Sequence, residues 1–193
     1  GTTVSVSDLY FNTPARRKFL RTEATEFGHC DEVFRRIALA RPDVAFTLKH
    51  NGRVSRHLRS QPAPERVSAL LGAEFAAASL PVDAGAGPLR LTGLAGTPQA
   101  AKVRADTQYF FVNGRFVRDR LLAHAAREAY RELLHGERQP AYALFLDLEP
   151  RGVDVNVHPA KTEVRFRDAR GVHQFIFHAL NRALAQSVAG AAA

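Results

Sequence analysis

The sequence predicts an α+β fold in two unequal parts, on three observations. Stretches of alternating apolar residues and stretches with a helical apolar stripe follow one another in mixed order, the pattern of a sheet with helices packed on one face. The proline-rich run Gln61-Pro62-Ala63-Pro64 reads as a connection dividing residues 1–60 from residues 61–193. The second part closes on a helix whose Val172, Phe175, Ile176, Ala179, Leu180, Ala183 and Leu184 share one face.

In chain order, residues 2–8 alternate as a strand. Thr13-Pro14 offers an N-cap and a proline at the first helical position, opening a short basic helix through Leu20. In the next helix Cys30, Val33, Phe34, Ile37 and Ala38 form one stripe, and Arg41-Pro42 ends it. That placement predicts Cys30 to be a buried small hydrophobe rather than a reactive thiol. Val44, Phe46 and Leu48 alternate, and Asn51-Gly52 turns the chain into a hairpin returning through Val54. Alanine- and glycine-rich sequence as far as Gly87 predicts little. Strands follow at residues 89–94 and 108–112, a helix at 119–135, strands at 142–148 and 153–157, and a short strand at 163–166 before the final helix.

A formal charge of +8 and a pI near 10.4 point to a polyanionic partner. The lone Cys30 excludes an internal disulfide and fits a reducing compartment. No apolar run approaches the ~18 residues of a membrane span, and no signal peptide opens the chain. Methionine is absent even from the first position, which predicts a segment of a longer protein.

Three groups of basic residues carry candidate chemistry. The run Val153-Asp154-Val155-Asn156-Val157-His158-Pro159-Ala160-Lys161 reads as a strand entering a proline-bent loop that ends on a lysine. Lysine is scarce here: apart from Lys18, Lys49, Lys102 and Lys161, the 27 Lys+Arg positions are all arginine. A compact ammonium suits a single phosphate oxygen, although a solvated lysine after a turn is the plainer reading. On the helix from Asp119, Arg120, His124, Arg127 and Arg131 share one face, opposite Leu122, Ala125, Ala126, Ala129 and Leu133. Such a ridge neutralises phosphates without reading bases, but Glu128 and Glu132 flank it and a solvated face is the alternative. Arg115, on the Asn113-Gly114 turn, and Arg118 lie just upstream. Arg16, Arg17, Lys18 and Arg21 are open to nucleic acid, or only keep soluble a helix docked by Phe19 and Leu20. There is no Walker-type loop, no carboxylate pair with a histidine at catalytic spacing, and no Cys/His cluster at metal-ligand spacing.

Together with that lysine loop, three blocks carry a resemblance: Gly1-Thr2-Thr3-Val4, Asp8-Leu9-Tyr10-Phe11-Asn12-Thr13-Pro14-Ala15-Arg16-Arg17-Lys18-Phe19-Leu20, and Phe111-Val112-Asn113-Gly114-Arg115. In their order and spacing the chain closely resembles the MutL family of DNA mismatch-repair ATPases, kin to gyrase B and the Hsp90 chaperones. The likeness runs through nearly the whole chain and is weakest between about Ser60 and Thr107.

The resemblance implies that residues 1–60 are the C-terminal portion of a gyrase B/Hsp90-type ATPase domain. Residues 61–193 would be a transducer domain like ribosomal protein S5 domain 2, with a left-handed βαβ crossover against the usual rule. It implies that Lys161 senses the γ-phosphate of ATP and that Thr2 reaches the adenine end. Arg120 is then the first DNA contact, Arg115 and Arg118 follow, and Arg127 and Arg131 extend the groove. The parent would use ATP and Mg2+, form a homodimer, and work in the cytoplasm beside the nucleoid, away from membranes. Its partners would be DNA without sequence preference, MutS and downstream repair factors. The family's catalytic glutamate, Mg2+-binding asparagine, adenine pocket and lid precede the Gly-Thr-Thr run, and none occurs here. This chain alone is therefore expected to bind no cofactor and hydrolyse no ATP. The endonuclease motif that some members of the family carry would lie in a C-terminal domain, outside this chain. A nucleotide-independent nucleic-acid-binding module of S5-like fold is the alternative, and it would not need Lys161. A gyrase-B-type fragment is a third reading, weakened by the Asn12-Thr13-Pro14-Ala15-Arg16 block.

Overall fold

Backbone groups need partners, and where the chain offers none no element forms. In the computed structural model, which describes residues 1–103 and 105–190, residues 1–7 have no regular structure. The strand expected at residues 2–8 is absent: no described segment pairs with it, and Val4 and Val6 stand exposed. The expected basic helix is a single turn, α1 (Pro14–Arg17), without a side-chain bond from Thr13. Phe19 is 80% exposed and does not dock it.

Helix α2 (Glu23–Ala40) begins at Thr22, whose hydroxyl accepts from the amide of Thr25, and stops before Arg41-Pro42 as expected. Its inner face takes only Phe34 and Ala38 from the apolar stripe. Ala38 and Leu39 are buried and Phe34 meets Phe46 edge-on, but Cys30, Val33 and Ile37 are exposed. The neighbouring charged row turns inward instead. Asp31 pairs with Arg35 and Arg56, Glu32 accepts from Arg36 and from the Tyr109 hydroxyl, and the Arg36 guanidinium lies 4.2 Å from the centre of the Phe116 ring. These groups satisfy one another, so they tolerate the inner side, whereas the apolar row finds no cover among the described residues.

Strands β1 (Phe46–His50) and β2 (Arg53–Leu58) form the expected hairpin. Asn51 and Gly52 both adopt positive φ, the conformation that matches the twist of the two strands. Where composition predicted little, α3 (Ala63–Leu71), α4 (Ala73–Ala77) and β3 (Ser79–Ala86) form. The guanidinium of Arg66, fully buried, donates to the carbonyls of Ala38, Arg41, Pro42, Val44 and Arg59. It thereby joins α3 to the end of α2 and to the segments flanking the hairpin.

Next come β4 (Leu89–Gly96), β5 (Gln108–Val112), β6 (Arg115–Val117), α5 (Arg120–Ala129) and β7 (Tyr142–Asp147). The sheet order is β3-β4-β7-β5-β6, with β5 and β7 parallel and the other pairs antiparallel, a mixed sheet as the α+β class requires. Gly93 allows β4 to close on β7: its φ is +130°, and a Cβ there would stand 2.1 Å from the carbonyl oxygen of Ala143. Helix α5 is shorter than the expected 119–135. The chain leaves it where the Tyr130 hydroxyl donates to the carbonyl of Gly96 at 2.7 Å.

Strands β8 (Val153–Asp154) and β9 (Arg165–Phe166) are likewise shorter than expected. The Asp154 side chain accepts the amide of Asn156 and turns the chain early. Helix α6 (Ala169–Gly190) buries Val172, Ile176, Ala179, Leu180, Ala183 and Leu184, as its stripe predicts. Alternation along β5 divides the core. Phe110 and Val112 pack with Leu144, Leu146, Ile176 and Leu180 under α5 and α6, while Tyr109 and Phe111 pack with Leu39, Val67 and Phe75 on the side of α2 and α3. No helix among the described residues is long and apolar enough to cross a membrane.

Candidate nucleotide loop and nucleic-acid face

The loop between β8 and β9 is built by local chemistry. After the Asp154 turn, Val155 packs at the edge of the core and Val157 is half-buried, while Asn156 and His158 are exposed. The amide of Lys161 donates to the carbonyl of His158 at 2.8 Å, and the amide of Ala160 donates to the His158 ring at 3.1 Å. Histidine thus holds both ends of the Pro159-Ala160 turn. Lys161 follows at φ +52°, an uncommon conformation for a residue with a Cβ, with its side chain exposed.

The next residue carries the connection. The carbonyl of Thr162 accepts the amide of Arg118 at 2.7 Å, just beyond β6. Asp119 then caps α5, accepting from the amides of Leu121 and Leu122, and Arg120 opens the helix. Arg118 and Arg120 line a cavity of about 530 Å³ with Asp106, Tyr109 and Glu32. Burial, and then the carboxylate of Glu32 to which it donates, push the Tyr109 hydroxyl up to about 12. It stays a neutral donor, tying α2 to β5.

The predicted arginines fall into two groups. Arg118 and Arg120 flank Asp119 at the β6–α5 junction, where the Arg118 guanidinium lies 5.8 Å from the centre of the Phe116 ring, while Arg115 opens β6 at the Asn113-Gly114 turn. Arg127 stands in the last turn of α5 and Arg131 just past it; with His124 and Arg138 they line a cavity of about 250 Å³. Arg138, held by a bond to the carbonyl of Ala101, extends this positive face. No sequence pattern marks it, because it follows the Gly136 turn rather than a helical period. Thr2 is exposed, outside any element, and joined to the Lys161 loop by no hydrogen bond among the described residues.

Residues 67–185 match the family model described as DNA mismatch repair protein, C-terminal domain. The chain belongs to the MutL family of DNA mismatch repair proteins. It is 63% identical over 191 residues to DNA mismatch repair protein MutL of Janthinobacterium sp. (strain Marseille), covering 99% of this chain and 31% of that protein. The chain thus spans under a third of that MutL. Two solved structures share the fold: the N-terminal domain of a DNA repair protein (TM-score 0.72, 22% identity, 93% of this chain and 60% of that one) and the Aquifex aeolicus MutL ATPase domain complexed with ADP (TM-score 0.55, 24% identity, 88% and 55%).

Proposed function

We propose that this MutL-family chain serves DNA mismatch repair by coupling the ATP state of its parent protein to DNA binding and dimer closure. In this reading residues 1–60 end the ATPase domain and residues 61–193 form the transducer. Lys161 touches the γ-phosphate and Thr2 the adenine end of ATP, with Mg2+ held by other parts of the parent. DNA lies along Arg115, Arg118, Arg120, Arg127 and Arg131. MutS and downstream repair factors act with the homodimer in the cytoplasm, beside the nucleoid. The supporting observation is the Arg118–Thr162 bond, which ties the Lys161 loop to the arginines at the start of α5. ATP hydrolysis would remove the partner of Lys161, and the parts on either side would be free to change their angle, a population shift biased by one contact.

Replacing Lys161 in the protein tests this. Lys161→Ala is expected to lower ATP turnover and ATP-driven closure of the dimer, with the preference for ATP over ADP falling by roughly tenfold or more. The unfolding midpoint should stay near that of the parent, because an exposed lysine contributes little to stability. Normal turnover combined with a large loss of stability would make Lys161 a structural residue. The contrasting reading is a nucleotide-independent nucleic-acid-binding module. That reading requires DNA affinity to be the same with and without ATP.

A further inference from the structure

Away from the Lys161 loop, the fold assembles a second cluster of donor side chains. Helix α5 carries His124 and Glu128 one turn apart on one face, and α6 sets His173 against them. His124 Nδ1 lies 2.9 Å from His173 Nε2, and Glu128 Oε2 lies 3.3 Å from His173 Nε2 and 3.9 Å from His124 Nδ1. All three donor atoms fall within 4.8 Å of one another. We propose that His124, Glu128 and His173 bind a divalent transition-metal ion of the zinc class, which clamps α5 to α6.

The geometry is close to what such an ion requires. Ligand atoms at about 2.0–2.1 Å from a tetrahedral zinc stand about 3.3–3.4 Å apart. The three distances bracket that edge, so rotations of the side chains complete the site without moving either helix. Without metal, one imidazole N–H donates to the other ring, and the ion replaces that bond. Two imidazoles and one carboxylate suit zinc, whereas magnesium and calcium take sets of oxygen ligands. Three protein ligands leave the fourth position to water. His124 is exposed and Glu128 and His173 are half-buried, so the position is open to solvent. The spacing of His124 and Glu128 is set by the helix itself, and the third ligand comes from the helix packed against it; little ordering remains for the ion to impose. Arg127, Arg131 and Arg138 line the adjoining cavity and oppose a cation, which lowers the affinity below that of a closed structural zinc site.

The test titrates the protein with Zn2+ by calorimetry and with Co2+, whose visible absorption reports tetrahedral ligation. One equivalent is expected to bind, Zn2+ should displace the Co2+ bands, and Mg2+ in large excess should not. His173→Gln and Glu128→Gln should each weaken Zn2+ binding by about tenfold or more and remove the Co2+ bands. Metal-free circular dichroism and unfolding midpoints should remain near those of the parent. Zn2+ binding equally strong in both variants would place the ion on other histidines and overturn the site. Absence of binding up to millimolar Zn2+ would overturn it as well.

Discussion

The backbone amide of Arg118 donates to the carbonyl of Thr162 across 2.7 Å, joining the end of β6 to the loop that presents Lys161. A side chain proposed to meet phosphate on the nucleotide and side chains proposed to meet phosphate on DNA therefore share one hydrogen-bonded frame. If that frame carries coupling, the Lys161→Ala and Arg120→Glu changes should not add. A double-mutant cycle on DNA affinity in the presence of ATP is expected to show an interaction of about 0.5–2 kcal/mol. Strict additivity would mean the two groups act independently despite the shared bond.

Charge reversal should separate the groove from mere net charge. Arg120→Glu is expected to weaken DNA binding more than Arg53→Glu, because Arg53 lies in the β1–β2 hairpin away from α5. Affinity should fall steeply as salt rises, and the slope should be shallower for the Arg120 variant. Equal effects of the two reversals, measured by fluorescence anisotropy, would leave only the overall +8 charge as the cause.

Arg66 predicts a stability effect unrelated to either proposed ligand. Arg66→Met keeps much of the volume but leaves the carbonyls of Ala38, Arg41, Pro42, Val44 and Arg59 without their shared donor. A loss on the order of 3 kcal/mol or more is expected in urea unfolding. Arg66→Lys should rescue little, since a single ammonium cannot span these acceptors as a planar fork does. A Lys variant as stable as the parent would contradict this account.

Asp31 predicts acid sensitivity. The hydrogen bond from Arg56 holds its carboxyl below the usual carboxylate range, against the opposing cost of burial, with Arg35 adding to the effect. Its folded pKa lies under the unfolded value of about 3.9, so its contribution is complete above roughly pH 4. That contribution disappears as pH falls through the folded value. Unfolding free energy followed from pH 6 to about pH 2 should therefore decline less steeply in Asp31→Asn than in the parent, from a lower starting point. Parallel curves would show that the Asp31–Arg56 pair does not contribute to acid unfolding.

Chemistry between near neighbours is legible in the sequence alone. Asn51-Gly52 dictates its own turn and the stripe of α6 its own buried face, because each depends on residues within a turn or two. The motif blocks are legible for the same reason, and the family match follows from them. Long-range packing decided the rest. The stripe on α2 named Cys30, Val33 and Ile37, yet Asp31, Glu32 and Arg36 turned inward because Arg56, Tyr109 and Phe116, all distant in sequence, receive them. Strand β3 carries almost no pattern of its own and exists through its pairing with β4. His124 and His173 are 49 residues apart and became neighbours only when α6 packed on α5. A period along the chain records which side chains share a face, but the partner that meets the face comes from elsewhere, and burial and charge compensation are settled only when both are present.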